Sequence, residues 1–337
     1  MRKFLALALV LISVFGMAAT AESRDRVASI RAKGFLSCGI WPIVRGFSFQ
    51  EKGTYQGFEI DICKAVAAAI LGARANVRYI AIDNIAQFSG NNEIDMVSRR
   101  LTWTFGRGVG QDIIFGPITF YDGQGFLVPV VHGVTSPLEL SGKNICVLDS
   151  ESHLDSLNHY FRQHAVNVNA VLVKTNSDAR AALEEGRCVA YSADISWLAA
   201  ARAEFIDGVN RYAILSTLIT KEPIAPLLHR DDGRFFEVVR WTVFAMLEAE
   251  ERDISSGNLD AALRTDCAEV RRFLGLIPGN AATLGLEDGW VRDVIASVGN
   301  YGEVFDRNLG NGSPVKLDRG LNRLWTDGGL FYVPPLR

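Results

Sequence analysis

Gly57-Phe58-Glu59-Ile60-Asp61-Ile62-Cys63-Lys64-Ala65-Val66-Ala67-Ala68-Ala69-Ile70 is the stretch on which the fold of this chain turns. Phe58, Ile62, Val66, Ala69 and Ile70 recur at helical spacing along one face. Glu59 and Asp61 load the first turn with negative charge, where the helix dipole favours it. Periodicity alone reads as an amphipathic helix laid on a sheet, with a solvated acidic start.

Outward from this helix the chain alternates strand and helix. Residues 35–38 form a short apolar strand before it, and 77–82 and 94–97 form strands after it. A second round follows: strand 144–148, helix 154–163, strand 171–173, helix 178–185 stopped by Gly186, and strand 188–191. That rhythm predicts an α/β fold in which two mostly parallel sheets, flanked by helices, are built in succession. Between the rounds lies Tyr121-Asp122-Gly123-Gln124-Gly125-Phe126, and after them Lys221-Glu222-Pro223-Ile224-Ala225-Pro226. Both have the turn chemistry of crossing segments, and two crossings are what a chain needs to leave one lobe, build another and return. The expected division is lobe 1 from 22–126 and 224–337, with lobe 2 from 127–223. The return half opens on a buried helix over 234–250, marked by Phe235, Phe236, Val239, Val243, Phe244 and Leu247.

The first 21 residues read as a secretory signal peptide. Arg2 and Lys3 precede an apolar run over 4–15, and Ala19 and Ala21 stand at minus three and minus one of a cleavage site after Ala21. The run is too short to span a bilayer. An exported, periplasmic product is expected, and cleavage takes two of the 35 basic residues and none of the 38 acidic ones. An acidic chain excludes nucleic acid and anionic membrane surfaces as partners. With 48% hydrophobic residues over 337 positions it can bury the cores of two lobes.

Cys38, Cys63, Cys146, Cys188 and Cys267 would meet an oxidising compartment. Cys38 ends the first strand and Cys63 sits in the helix that follows; Cys146 and Cys188 lie in two strand-like runs of the second round. We expect Cys38 to pair with Cys63 and Cys146 with Cys188, leaving Cys267 free. Spacing alone does not fix connectivity, and the alternative is that some of the five are buried thiols. No two cysteines stand at the close spacing of a zinc site, so no metal or other cofactor is expected.

The order of glycine, aromatic, acid, aliphatic, acid, aliphatic in the opening stretch resembles the signature of the extracellular solute-binding proteins of family 3. Ser98-Arg99, Thr102-Trp103-Thr104, residues 121–126, Lys221-Glu222-Pro223, Gly299-Asn300-Tyr301-Gly302-Glu303, the tail over 320–329 and Pro334-Pro335 resemble the general or polar L-amino-acid subgroup. The likeness runs from about Val27 to Arg337. It implies the two-lobed periplasmic-binding-protein fold of type II, closing about hinge strands on an amino acid and delivering it, as a monomer, to an inner-membrane ABC permease.

A free amino acid carries a carboxylate and an ammonium on one carbon, so its receptor needs a fixed cationic fork and a fixed acid. Arginine suits the first because it donates two parallel hydrogen bonds to a carboxylate. The resemblance assigns Thr102 and Arg107 to the carboxylate and Asp194 to the ammonium; Asp194 could instead cap the helix that follows. Ser150 and Ser152 stand where the subgroup turns backbone N–H groups toward the ligand. Asp149 and Glu151 depart from that pattern, since a carboxylate about 5 Å from the ligand's own would repel it by about 3 kcal/mol at an effective dielectric near 20. Phe47 fits an aromatic lid, and Trp41 could narrow the pocket or stack on a cation. A ligand with an extra positive group, answered by Glu151, is the expectation these departures raise. Two other readings are an enzyme of the dehydratase type on the same fold, with Glu151, His153 or Asp194 as acid or base, and a sensory subunit that presents its ligand to a membrane receptor.

Overall fold

The computed structural model describes residues 25–109 and 112–336; the expected signal peptide lies outside the described residues. The first lobe opens with α1 (Arg26–Lys33), β1 (Phe35–Ile40), β2 (Ile43–Val44), β3 (Ser48–Glu51) and β4 (Thr54–Gln56). It continues through α2 (Phe58–Leu71), β5 (Asn76–Ala81), β6 (Met96–Val97), α3 (Phe105–Gly108), β7 (Ile113–Phe115) and β8 (Phe120–Asp122). The second lobe holds β9 (Gln124–Pro129), β10 (Asn144–Leu148), α4 (Glu151–Gln163), β11 (Asn169–Val173), α5 (Asn176–Glu184), β12 (Ala190–Asp194), α6 (Ile195–Glu204), α7 (Gly208–Arg211) and β13 (Tyr212–Ile214). The chain then returns through β14 (Glu222–Ile224) and β15 (Leu227–His229). It ends in α8 (Gly233–Glu251), α9 (Leu259–Ala262), α10 (Ala268–Phe273), α11 (Trp290–Val298) and α12 (Tyr301–Asn308).

Two five-stranded sheets result, in the orders β5-β1-β6-β15-β7 and β11-β10-β12-β9-β13. In each, four strands run one way and one returns against them, β15 in the first sheet and β9 in the second. The expected alternation of strand and helix produces this because each parallel step needs a crossover helix on a face of the sheet. The crossings meet as a two-stranded ribbon, β8 against β14, with Asp122 opposite Glu222 and Phe120 opposite Ile224. A side chain at Gly123 would stand 2.6 Å from the Thr220 carbonyl, so the glycine of the first crossing lets the two strands run this close. The tail braces the ribbon: Asn322 bonds both the N–H and the carbonyl of Tyr121, and the Tyr301 hydroxyl donates to the Thr119 carbonyl.

Helix α2 departs from the amphipathic expectation. It is enclosed on nearly every side, by β1 and by α1, α8, α11 and α12, with Lys64 and Leu71 as its less buried members. Its acids are not solvated either, Glu59 being 3% and Asp61 5% exposed. Asp61 accepts from Arg307 Nε at 3.0 Å and from Asn308 Nδ2 at 2.7 Å, tying α2 to α12. The start of α2 is held from below, since the N–H groups of Phe58 and Glu59 donate to the carbonyls of Gly46 and Phe47. That approach requires glycine at 57, where φ is +129° and a Cβ would lie 2.2 Å from the Phe47 oxygen. Cys38 is bonded to Cys63 and Cys146 to Cys188, each stapling a strand to the segment behind it, and Cys267 is free and exposed.

Candidate functional site

The C-terminal ends of β6, β10 and β12 face one another across the gap between the sheets, where doubly wound sheets gather their loops. From the second lobe come Asp194, the last residue of β12, with Ser196 and Trp197 in the first turn of α6. The start of α4 lies beside them. Ser150 caps that helix by accepting the His153 N–H, and its Oγ lies 2.6 Å from His153 Nδ1. The far nitrogen, His153 Nε2, reaches Asp194 Oδ1 at 3.0 Å. Ser150 and Asp194, assigned separately from sequence, are thus joined through an imidazole. Asp194 stands at the N-cap position of α6, but its side chain makes no capping hydrogen bond and is turned to His153 and Arg100 instead.

From the first lobe comes the segment after β6. Thr102 bridges to Ile224 beside the crossing ribbon. Its carbonyl accepts from Nη1 of the exposed Arg107 at 3.1 Å, and among the described residues the rest of that guanidinium fork stays open. Arg100, not selected from sequence, crosses the gap. Its side chain is only 5% exposed, Nη1 standing 3.6 Å from Asp194 Oδ2 and 3.9 Å from Asp122 Oδ2. The same nitrogen bonds Ser196 Oγ, and the guanidinium lies 4.6 Å from the Trp197 ring centroid. Below it, the Arg100 backbone N–H donates to Glu59, so the first acid of α2 anchors the segment that carries Thr102 and Arg107.

Trp41 also meets the opposite lobe, edge-on to Trp197 at 5.7 Å, and the cation that stacks on it is the chain's own Arg99, at 5.2 Å. Phe47 corrects the expectation of a lid. It is fully buried and edge-on to Phe58 and Phe120, because the helix start docks on its backbone and draws the ring into the first core. Asp149 is exposed, and Ser152 is exposed with its Oγ 3.3 Å from that of Ser150. The Glu151 side chain lies outside the described residues.

The electrostatics separate the three acids. Burial works to raise the Asp194 pKa, but the hydrogen bond from His153 and the charges of Arg100, His153 and Arg107 outweigh it and hold the carboxyl below its usual range. Burial pushes Glu59 up to about 7, against the Arg100 backbone bond and the charges of Arg100 and Arg99. Burial, then the charge of Asp194, raises Asp122 as well. The site therefore presents one firmly ionised carboxylate among several cations. It also gathers buried polar atoms that lack a hydrogen-bond partner: Arg99 Nε, Arg100 Nε, Asp122 Oδ2 and Gln124 Oε1 are four of the nine such atoms among the described residues. Buried polar groups are normally paired, which makes this cluster of donors and acceptors a candidate position for a bound polar ligand. The adjacent pair Arg99-Arg100 shortly after β6 marks two cations in this segment, but not which of them crosses the gap.

Residues 36–253 match the profile of the bacterial extracellular solute-binding proteins, family 3. The chain is 38% identical over 330 residues to the general L-amino acid-binding periplasmic protein of Rhizobium johnstonii, covering 96% of each. It is 36% identical to the glutamate/glutamine/aspartate/asparagine-binding protein of Rhodobacter capsulatus, covering 97% of each. Among solved structures, a periplasmic binding protein of an ABC transporter from Brucella ovis, with glutathione bound, superposes with a TM-score of 0.81 at 37% identity. That likeness covers 93% of this chain and all of the other.

Proposed function

The chain belongs to the bacterial extracellular solute-binding proteins of family 3, and from that premise we propose that it is a periplasmic receptor for an amino acid or a closely related solute. In this reading the two lobes close about the β8–β14 ribbon, the first crossing entering lobe 2 at the start of β9, Gln124, rather than at residue 127. The ligand's ammonium goes to Asp194, and its carboxylate goes to Arg107 and Thr102 with the N-terminus of α4 at Ser150 and Ser152. Trp41 walls the site and Phe47 lies behind the wall. The loaded protein, a monomer without catalytic chemistry, docks on an inner-membrane ABC permease.

The observation that carries this reading is the ionised Asp194 at the lobe boundary, within range of the Arg107 charge from the opposite lobe. A zwitterion is the ligand that satisfies both. The cations Arg99, Arg100 and Arg107 favour a neutral or acidic ligand over the basic one that Glu151 suggests from sequence. Thermal shift against a panel tests this. Glutamate, glutamine or glutathione should stabilise the protein while arginine and lysine should not; preference for basic amino acids overturns the specificity, and stabilisation by no member overturns the site. Arg107→Ala should weaken binding of the best ligand at least tenfold in calorimetry with the melting curve unchanged, since a bound carboxylate would lose its paired cation.

A further inference from the structure

Asp194 already holds a cation. Arg100 enters from lobe 1, and among the described residues the partners of its guanidinium come from the crossing ribbon and lobe 2: Asp122, Asp194, Ser196 and Trp197. Its backbone stands in the left-handed region, with φ +53°, a conformation that costs a branched or long side chain free energy and that here aims Arg100 across the gap. Around it the hydrogen bonding is incomplete. Arg100 Nε and Asp122 Oδ2 are buried without a hydrogen-bond partner, and Asp194 meets Arg100 at an ion-pair distance of 3.6 Å rather than a hydrogen-bond distance. The guanidinium occupies the acid without satisfying it.

We infer that Arg100 is a tethered competitor for the ammonium position of the cleft. This rests on the reading that Asp194 receives the ligand's ammonium. A ligand ammonium and the Arg100 guanidinium cannot both fill the space between Asp194, Asp122 and the Trp197 face. The incoming cation therefore has to displace the resident one, and the observed dissociation constant exceeds the intrinsic one by the factor with which the occupied form predominates. The same contact gives the empty protein a bond between its lobes, so closure does not wait for the ligand.

Calorimetry with L-glutamine, whose side chain carries no charge to exchange with Arg100, separates the possibilities in wild type, Arg100→Gln and Asp194→Asn. Removing the competitor should tighten glutamine binding at least fivefold, and neutralising Asp194 should weaken it at least tenfold. A gain in affinity is diagnostic because damage to the site or the fold would produce a loss. Unchanged or weaker binding by Arg100→Gln beside a loss in Asp194→Asn overturns the inference and leaves the ammonium assignment standing. Unchanged binding by Asp194→Asn overturns the assignment itself, and no binding by any of the three proteins overturns both. Should Arg100→Gln melt below the assay temperature, Arg100→Met replaces it, keeping an unbranched side chain against Trp197 without the charge: tighter glutamine binding supports the inference and equal or weaker binding overturns it.

Discussion

Glu59 shows how a residue used for family resemblance does physical duty at the site. It is buried under the loop that carries Thr102 and Arg107 and accepts the Arg100 backbone N–H, while burial lifts its pKa from about 4.5 to about 7. A carboxyl whose folded pKa lies above its unfolded one contributes stability that is complete below the unfolded value and lost as the pH rises through the folded one. The loss falls between about pH 4.5 and 7, and Asp122 shifts in the same direction. Glu59→Gln keeps the acceptor and removes the charge. It should raise the melting temperature at pH 8, by as much as about 3 kcal/mol of stability, and change little at pH 4.5; an equal shift at both values would count against a buried charge as the cause. At this scale the site was partly legible in the sequence. Thr102, Arg107 and Asp194 could be named because ligand chemistry demands a fork and an acid at family positions. Arg100 could not, since nothing in its neighbours reveals the left-handed backbone that turns it across the gap. Phe47 was misread because an aromatic near an entrance and one in a core look alike until the backbone beneath them is placed.

Among the elements, α2 was found by its periodicity and misjudged in its surroundings. Helical spacing reports one packed face, but α2 is covered not only by the nearby β1 but also by α8, α11 and α12, which follow more than 150 residues later. Strands β1, β5, β10 and β11 were legible because short apolar runs bounded by turns leave few alternatives. The docking of the α2 start on the Gly46 and Phe47 carbonyls gives Gly57 a definite weight. Gly57→Ala adds a Cβ where φ is +129° and the nearest oxygen lies at 2.2 Å, so the helix start must shift from both carbonyls. Urea unfolding should show a loss of about 3 kcal/mol or more, beyond the roughly 1 kcal/mol of an ordinary glycine replacement in the left-handed region. A cost near 1 kcal/mol would mean that the loop yields.

Over the whole molecule, the lobes are joined at more than the ribbon. Arg202 of α6, 8% exposed, donates from Nη2 to the carbonyls of Val315 at 2.9 Å and Lys316 at 2.7 Å in the C-terminal part of the chain. In the proposed two-lobed reading these bonds span the lobes, and separation of the lobes breaks them. Arg202→Ala should therefore enlarge the radius of gyration of the ligand-free protein in small-angle scattering and weaken ligand binding roughly five- to a hundredfold, as loss of about 1–3 kcal/mol from the closed form implies; an unchanged radius would make the contact one that travels with α6. The place of β15 carries a different consequence. It lies between β6 and β7, joining strands made more than 100 residues before it. A chain synthesised from its N-terminus has every strand of the second sheet available by residue 214, while the first sheet waits for residues 227–229. The later-made lobe thus matures first, as a finished insert, and until β15 arrives the earlier one keeps β6 and β7 as open edges, the interval in which this protein is most exposed to mispairing.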